Sequence, residues 1–297
     1  MATGAQEFVD QTIVNATGTG YSGVFSPDIW SKNVLVKQEA NLIFAQHVNR
    51  EYESDAKVGK SVIIASISDL GFRPKTENNA ITYETVNEVP VVLTLNIWDY
   101  AAFGIEDIVN VQAHINLRAA YEEKVGYALA KDIDGKLALG PSGFSFTRGT
   151  LGTAFTDQDV RDCVQALDDN NVPEDGRILI MSPAEKNDKL GLDKWVNSLY
   201  RGDSMPNGGG GPVNNGQVGR DIYGLTPYVT SNINKPAAGQ ASNTVMHPNA
   251  YALVMQRQPK MHLFYDIDYF TWKVASEQIF GHGELRDDHG TWLKGKG

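Results

Sequence analysis

The longest run of regularly spaced apolar positions has helical periodicity and extends from about residue 105 to residue 139. Apolar side chains recur there at intervals of three and four, while Asp, Glu, Arg and Lys occupy the other face. The apolar positions are Ile108, Val111, Ile115, Ala119, Val125, Leu129 and Ile133. At about 1.5 Å per residue, the pattern predicts a helix roughly 50 Å long, against ~11 residues for a usual globular helix. We interpret this helix as a structural spine.

Two strand-like segments precede the helix and enclose a polar stretch. Residues 61–67 are rich in β-branched side chains, and residues 91–98 repeat with a period of two. The stretch from Asp69 to Glu88 between them is polar and contains turn-forming Gly, Pro and Asn residues. The pattern predicts an extended hairpin over residues 57–98. Its tip has no hydrophobic core of its own and must pack against another surface.

The chain before this hairpin changes from polar to amphipathic. Residues 1–25 are rich in Gly, Thr and Ser and bury too little apolar surface to fold alone. They are predicted to be a disordered tail or an arm that orders against a neighbour. Ser26-Pro27-Asp28 has the residue types of a helix start, and rough helical spacing continues to Val48.

Helical and strand patterns alternate after the spine helix. Thr156 is a predicted helix N-cap, and Ser182 caps a second helix that has Pro183 at its first position. Residues 201–220 are a predicted flexible loop rich in Gly and Asn. Residues 261–279 alternate with apolar side chains on both faces, which predicts a strand covered on two sides.

Composition narrows the class of protein. The 297-residue chain is 41% hydrophobic and 21% charged, as is typical of a folded domain. A net charge of −10 argues against a groove that neutralises nucleic-acid phosphates, but not against a surface that merely faces DNA. The N-terminus lacks the features of a signal peptide, and no apolar run approaches the ~18 residues that span a bilayer. We therefore expect a soluble protein that is made in a cytoplasm.

A metal-dependent enzyme is the alternative from another functional class. His282, Glu284 and His289 are close in sequence, together with Asp287 and Asp288. They lie in a Gly-flanked stretch without the ligand spacing of known metal motifs, so we predict no metal site. Cys163 is the single cysteine, so an intramolecular disulfide framework is excluded. We predict that it is a buried structural thiol.

Three further features resemble functional motifs without their usual surroundings. Gly208–Gly211 lacks the Lys-Ser/Thr pair and helix start of a phosphate-binding loop. Residues 201–203, Arg-Gly-Asp, form too short a motif to be informative. Asp266 and Asp268 would share one face of a strand, but no nucleophile has an identifiable base and orienting group. We predict no catalytic, cofactor-binding or metal-binding residues and no enzymatic activity.

The order of these parts resembles the Hong Kong 97-type coat fold of tailed-bacteriophage major capsid proteins. Residues 219–232 (GRDIYGLTPYVTSN) are similar to the strand-turn-strand near the end of that family's axial domain. Residues 246–256 (MHPNAYALVMQ) resemble its return to the peripheral domain, and residues 279–286 (IFGHGELR) its closing strand. The resemblance spans nearly the whole chain.

The resemblance implies an α+β fold with named parts. They are an N-terminal arm at 1–25, a peripheral domain at 26–56 and 99–150 that contains the spine helix at 105–139, an E-loop hairpin at 57–98, an axial domain at 151–257, and a return to the peripheral domain at 258–297. Arg73, Lys75 and Glu77 at the E-loop tip are expected to contact a neighbouring subunit. No acceptor can be identified for a covalent cross-link from Lys75.

The resemblance also implies a function. It implies a major capsid protein that assembles as hexamers and pentamers into the icosahedral shell of a tailed double-stranded-DNA phage. Scaffolding, portal and decoration proteins are implied partners, with enclosed DNA that is not bound sequence-specifically, no cofactor and no membrane contact. The implied location is the virion, and the host cytoplasm during assembly.

Two more interpretations stay open besides the metal-dependent enzyme. An encapsulin-type nanocompartment resembles the same fold but encloses a cargo enzyme. A monomeric binding protein would have to keep the hairpin free in solution, which exposed strand edges make hazardous.

Overall fold

The computed structural model describes residues 13–14, 20–21, 42–66, 71–81, 83, 85, 88–108, 117–192, 195 and 222–297. The chain divides into two compact units, residues 1–38 and residues 39–297. In the first unit, β1 (Ile13–Val14) pairs antiparallel with β2 (Gly20–Tyr21). The rest of the predicted arm, the predicted helix start at Ser26 and the predicted loop at 201–220 lie outside the described residues.

The second unit mixes strands and helices along its length. Its strands are β3 (Ser61–Ile64), β4 (Val91–Thr94), β5 (Ile97–Glu106), β6 (Thr147–Gly149), β7 (Ile178–Met181), β8 (Thr226–Val229), β9 (Gln240–Met246), β10 (Tyr251–Asp266), β11 (Thr271–Glu284) and β12 (Gly290–Lys296). Its α-helices are α1 (Leu117–Leu137), α2 (Asp157–Asp169) and α3 (Pro183–Lys189). Short 3₁₀ helices lie at Phe44–Gln46, Glu51–Ser54, Gly140–Gly143, Pro248–Ala250 and Asp287–His289. No helix in the described part of the chain is long and apolar enough to cross a membrane.

The strands that the structure describes in the second unit form three sheets. β3 and β4 make a two-stranded antiparallel sheet, and β10, β11 and β5 make a three-stranded antiparallel sheet in that order. The third sheet is mixed and has the order β6-β12-β9-β7-β8. The architecture is therefore α+β, as predicted.

Helix α1 covers one face of the three-stranded sheet. Ile133 and Leu137 are buried in one core cluster with Phe280 of β11. Gln278, also on β11, donates a hydrogen bond from Nε2 to the carbonyl of Leu129 at 3.2 Å. Each fully buried side chain of this size contributes about 1.5–3 kcal/mol. The predicted apolar stripe thus faces the sheet.

The predicted spine helix begins too early. Ile105 and Glu106 belong to β5, where Ile105 pairs with Trp272, and the described helix is Leu117–Leu137. Residues 109–116 between them lie outside the described residues. From Ile97 to Glu106 the side chains alternate between less and more exposed positions. That period of two continues past residue 105, where the helical spacing predicts the helix to begin.

The terminal alternation at residues 261–279 is a hairpin rather than one strand covered on two sides. β10 ends at Asp266, and β11 begins at Thr271. The connecting residues 267–270 read Ile-Asp-Tyr-Phe and contain no Gly, Pro or Asn. Asp266 and Asp268 are the only turn-forming residue types here, and three of the four connecting side chains are large and apolar, so the turn signal is weak. Phe270 has a φ of 47°, in the left-handed region that aromatic residues rarely adopt.

The five-stranded sheet contains strands that the sequence prediction assigned elsewhere. β12 pairs antiparallel with β9 and parallel with β6, so it lies between them. The sequence prediction assigned β12 and β6 to the peripheral domain at 258–297 and 99–150, and assigned β9 and β7 to the axial domain at 151–257. One sheet thus joins strands from both predicted domains, and the domain bounds stay a prediction. Local sequence indicates a strand but not the sheet that it joins, because the partners of β12 are distant in sequence.

The predicted caps and the buried thiol are confirmed. The side chain of Thr156 accepts a hydrogen bond from the Asp159 N–H while Asp159 accepts one from the Thr156 N–H, a capping box that starts α2. Ser182 accepts from the N–H of Glu185 and starts α3. Cys163 is fully buried on α2, and burial raises the pKa of its thiol to about 11.

A buried ion pair lies between α3 and β12. Glu185 is 0% and Lys189 3% exposed, and Lys189 Nζ is 3.7 Å from Glu185 Oε2. Lys189 also donates to the carbonyl of Phe155. Glu185 Oε1 accepts from the N–H of Lys296 at 2.7 Å and from that of Phe155 at 3.3 Å. Burial raises the pKa of Glu185 and lowers that of Lys189.

Candidate assembly surfaces

The E-loop has a packed base and an exposed tip. Ser61 pairs with Thr94 and Ile64 with Val91, so the pairing of the two predicted hairpin strands is confirmed. Residues 97–98, which were predicted to belong to the second strand, belong to β5 of the three-stranded sheet instead. Its base shares a small core with the 3₁₀ region before it and with β10, made of Ala56, Val62, Leu93, Leu95, Ala252 and Val254. Beyond the base, Phe72 is 94% exposed. The base is therefore held by the subunit itself, whereas the tip is not.

The three predicted contact residues lie at this tip. Arg73, Lys75 and Glu77 are all exposed. Lys75 Nζ donates to the carbonyl of Thr76 at 2.9 Å and to the carbonyl of Asn79. Lys75 therefore stabilises the turn of its own loop. Contact of these residues with a neighbouring subunit stays a prediction.

Two glycines set how closely the E-loop base approaches the three-stranded sheet. A Cβ on Gly281 would lie 2.2 Å from the carbonyl oxygen of Thr94, at the end of β4. A Cβ on Gly283 would lie 2.6 Å from Leu93 Cδ2. Real Cβ atoms do not approach a backbone oxygen this closely, so β4 can pack here only on glycine.

We expect Gly281→Ala to push β4 away from β11 and to destabilise the subunit by about 1–3 kcal/mol, as overpacking does. Gly126→Ala is the matched control, because a Cβ on Gly126 meets no atom within 4 Å and Ala favours a helix. Urea unfolding gives the stabilities, and amide hydrogen exchange in β3 and β4 reports the displacement. Equal stability and equal protection in the Gly281→Ala protein would contradict this account.

A second projection is formed by the β10–β11 hairpin. Tyr265 is held by a ring contact with Trp272 at 4.8 Å between centroids and donates from its hydroxyl to Asp107 Oδ2 at 2.7 Å. Around this fixed point, large apolar side chains are 46–71% exposed: Met261, Leu263, Phe264, Ile267, Tyr269 and Phe270. Exposed apolar groups that cluster in this way mark interaction sites more often than scattered ones do. We call residues 261–270 the hairpin tip.

The outer face of the three-stranded sheet also carries exposed aromatic side chains. Trp98 is 69% and Tyr100 76% exposed on β5. Glu277 on β11 accepts from Trp98 Nε1 at 2.9 Å and from Arg257 Nη1 at 2.6 Å. These hydrogen bonds hold the exposed Trp98 ring in one orientation in the isolated subunit.

The candidate metal ligands are used in other ways. His282 Nδ1 lies 2.9 Å from the hydroxyl of Tyr251, and burial lowers the pKa of His282. His289 Nδ1 lies 2.9 Å from Asp288 Oδ1. Across the part of the chain that the structure describes, no group of three or more His, Cys, Asp or Glu side chains is arranged to hold a metal ion.

The other sequence motifs do not form a site among the described residues. Asp266 ends β10 and forms an ion pair with Lys273, whereas Asp268 lies in the turn and donates its N–H to Asp266 Oδ1 at 3.1 Å. The two carboxylates therefore do not share a strand face, which corrects the sequence interpretation. Residues 201–203 and Gly208–Gly211 lie outside the described residues.

The hairpin tip is the surface that sequence reasoning missed. A signal was present, because residues 261–272 have apolar side chains on both faces of the alternation. Such a segment needs cover on both faces. The prediction expected the strand to be covered on both faces, whereas the subunit leaves these side chains exposed.

Comparison with solved structures identifies the fold. A chain from the structure of Mycobacterium phage Che8 is 22% identical, with a TM-score of 0.74 over 91% of this chain and 97% of that one. A chain from the capsid of the cyanophage P-SCSP1u is 20% identical, with a TM-score of 0.72 over 95% and 96%. A chain from the mature capsid of bacteriophage PhiM1 is 15% identical, with a TM-score of 0.68 over 91% and 92%.

These matches extend over nearly the full length of both partners. The chain therefore has the fold of phage capsid chains, and the predicted Hong Kong 97-type architecture is confirmed. No protein-family model and no curated protein matches the sequence.

Proposed function

We propose that the chain is the major capsid protein of a tailed double-stranded-DNA phage and assembles as hexamers and pentamers into the icosahedral shell. The observation that carries the proposal is the likeness to capsid chains over 91–95% of the chain. A likeness over so much of both chains concerns the whole subunit rather than one shared motif. The proposed role is structural, without catalysis.

The two projections support this proposal. The E-loop tip and the hairpin tip expose large apolar side chains that the subunit does not cover, among them Phe72 and Phe264. In a closed shell, each copy of one chain offers the same surfaces to its neighbours. Copies of this chain would then cover each other's tips, with Arg73, Lys75 and Glu77 at the E-loop contact.

The charge of the chain fits a container for DNA better than a DNA-binding protein. A net charge of −10 argues against a groove that binds nucleic-acid phosphates through many basic side chains. Enclosed DNA would be held by the closed wall, without sequence recognition. Scaffolding, portal and decoration proteins are the proposed partners, with assembly in the host cytoplasm and the mature protein in the virion. No described residue favours the encapsulin interpretation.

Negative-stain electron microscopy tests the proposal directly. The protein, expressed alone and together with the genes beside its own, is expected to form closed shells, or sheets and tubes of hexamers. Shells filled with DNA in the native particle would separate a phage coat from an encapsulin, which would hold a cargo enzyme. A uniform small particle under both conditions would reject a shell-forming role.

A further inference from the structure

A cleft of about 550 Å³ separates α1 from the loop that follows β8. Lys131 and Lys235 line it, one from each side, and both are exposed. Within the described part of the chain, neither ammonium group has a carboxylate partner. Leu139 is 52% exposed at the same cleft. The cleft therefore combines two uncompensated positive charges with an apolar side chain.

The walls of the cleft are fixed to each other. Asn232, in the loop, donates from Nδ2 to the carbonyl of Lys131 at 3.3 Å and to Asp134 Oδ2 at 3.0 Å. Asp134 is 0% exposed, and its other oxygen accepts from the N–H of Ala45 at 3.0 Å. Because these bonds tie the loop to α1, the cleft exists before any occupant arrives.

We propose that this cleft binds an acidic, partly apolar segment of a separate assembly protein. The inference rests on the proposed function, since such a partner has a use only for a shell-building subunit. The occupant must bring negative charge for Lys131 and Lys235 and apolar surface for Leu139. In a chain whose net charge is −10, two unpaired lysines facing one cleft favour an acidic partner.

Duplex DNA fits the cleft less well. Asp132 lines the same cleft, where it pairs with Lys136 at 3.1 Å, and its carboxylate would repel a phosphate. Leu139 would also gain nothing from a phosphate backbone. A second copy of this chain is the remaining rival, and shells assembled from this chain alone test it.

Lysine acetylation followed by mass spectrometry measures occupancy of the cleft. The intact protein is acetylated under four conditions. Two are assembly states without ligand: free subunits, and closed shells of this chain alone. In the other two, free subunits are mixed with a random Glu–Tyr copolymer or with a 20-base-pair DNA duplex of similar total charge. Lys186 on α3, away from the cleft, is the internal reference. The copolymer is expected to lower acetylation of Lys131 and Lys235 at least threefold relative to Lys186, while the duplex and shell formation leave it unchanged.

Each other pattern overturns the inference. Selective protection in shells of this chain alone would mean that a second copy fills the cleft, and selective protection by the duplex would mean that DNA does. Equal protection of Lys186 by the copolymer would mean that binding is nonspecific, and no protection would mean that the cleft does not take this chemistry. Electron microscopy of the same samples shows whether shells form, so failure of the capsid proposal is seen separately.

Charge reversal provides a second measurement. The double variant Lys131→Glu/Lys235→Glu is expected to weaken binding of the fluorescent copolymer at least tenfold by anisotropy. Lys186→Glu, which changes one charge outside the cleft, is expected to change it less than twofold. An equal loss of copolymer affinity in the double variant and in Lys186→Glu would contradict a specific binding site. Circular dichroism confirms that the compared proteins are folded.

Discussion

Subunits that lack residues 71–80 are expected to fold, remain soluble and fail to form closed shells. The deleted segment is exposed throughout, and Phe72 within it is 94% exposed, so the free subunit loses almost no packing. The E-loop base keeps its core with β10. Shortening the loop changes its closure entropy by less than about 1 kcal/mol. In the proposed shell, however, every subunit would lose the proposed contact between this tip and its neighbour.

Electron microscopy and sedimentation velocity measure the outcome, and circular dichroism confirms the fold. Phe72→Ser is the matching point variant, expected to reduce shell yield without unfolding the subunit. Leu190→Ser is its control, because Leu190 is 51% exposed but lies beside α3, outside both projections. Normal shells from the deletion protein would show that the E-loop tip makes no essential contact.

Removal of the buried Lys189 side chain is expected to cost about 3–5 kcal/mol of unfolding free energy, as breaking a buried ion pair does. Lys189→Ala would leave the Glu185 carboxylate in the interior without its cation and the carbonyl of Phe155 without its donor. Lys186→Ala is the control on the same helix and should stay within about 0.5 kcal/mol of the parent.

The deficit of the Lys189→Ala protein should depend on pH. Burial already raises the pKa of Glu185, and loss of the cation raises it further. A carboxyl group whose pKa is raised in the folded state destabilises the fold when ionised, and that penalty fades as the pH falls through the raised value. Urea unfolding at several pH values measures the effect. A deficit as small as that of Lys186→Ala would show that the pair is not buried in solution.

Sequence alone predicted the elements whose signals are local. Thr156 and Ser182 were identified as caps because capping depends on residues within one turn. The E-loop strands and the apolar stripe of α1 were identified from periodicity. Boundaries failed where two periodicities overlap, as at Ile105, and where a turn carries mostly large apolar side chains, as before Thr271.

The candidate surfaces depend on tertiary contacts that periodicity does not encode. The Glu185–Lys189 pair has the spacing of an ordinary surface pair, and only the fold places it under β12. Exposure of the hairpin tip depends on which elements of the fold pack against residues 261–270, and no local pattern gives this. Lys75 could be placed at the E-loop tip, but its bond to its own turn could not.

The position of β12 has a consequence for how the polypeptide is made. Its partners β6 and β9 cannot be joined until Gly290–Lys296 is present, and Trp292 donates its N–H to the carbonyl of Phe146, about half the chain away. On the ribosome, these residues emerge after every other strand of the sheet. A nascent chain that stops before Gly290 would leave two unpaired strand edges facing a gap. Prematurely terminated products would therefore expose strand edges that can pair with other chains and aggregate.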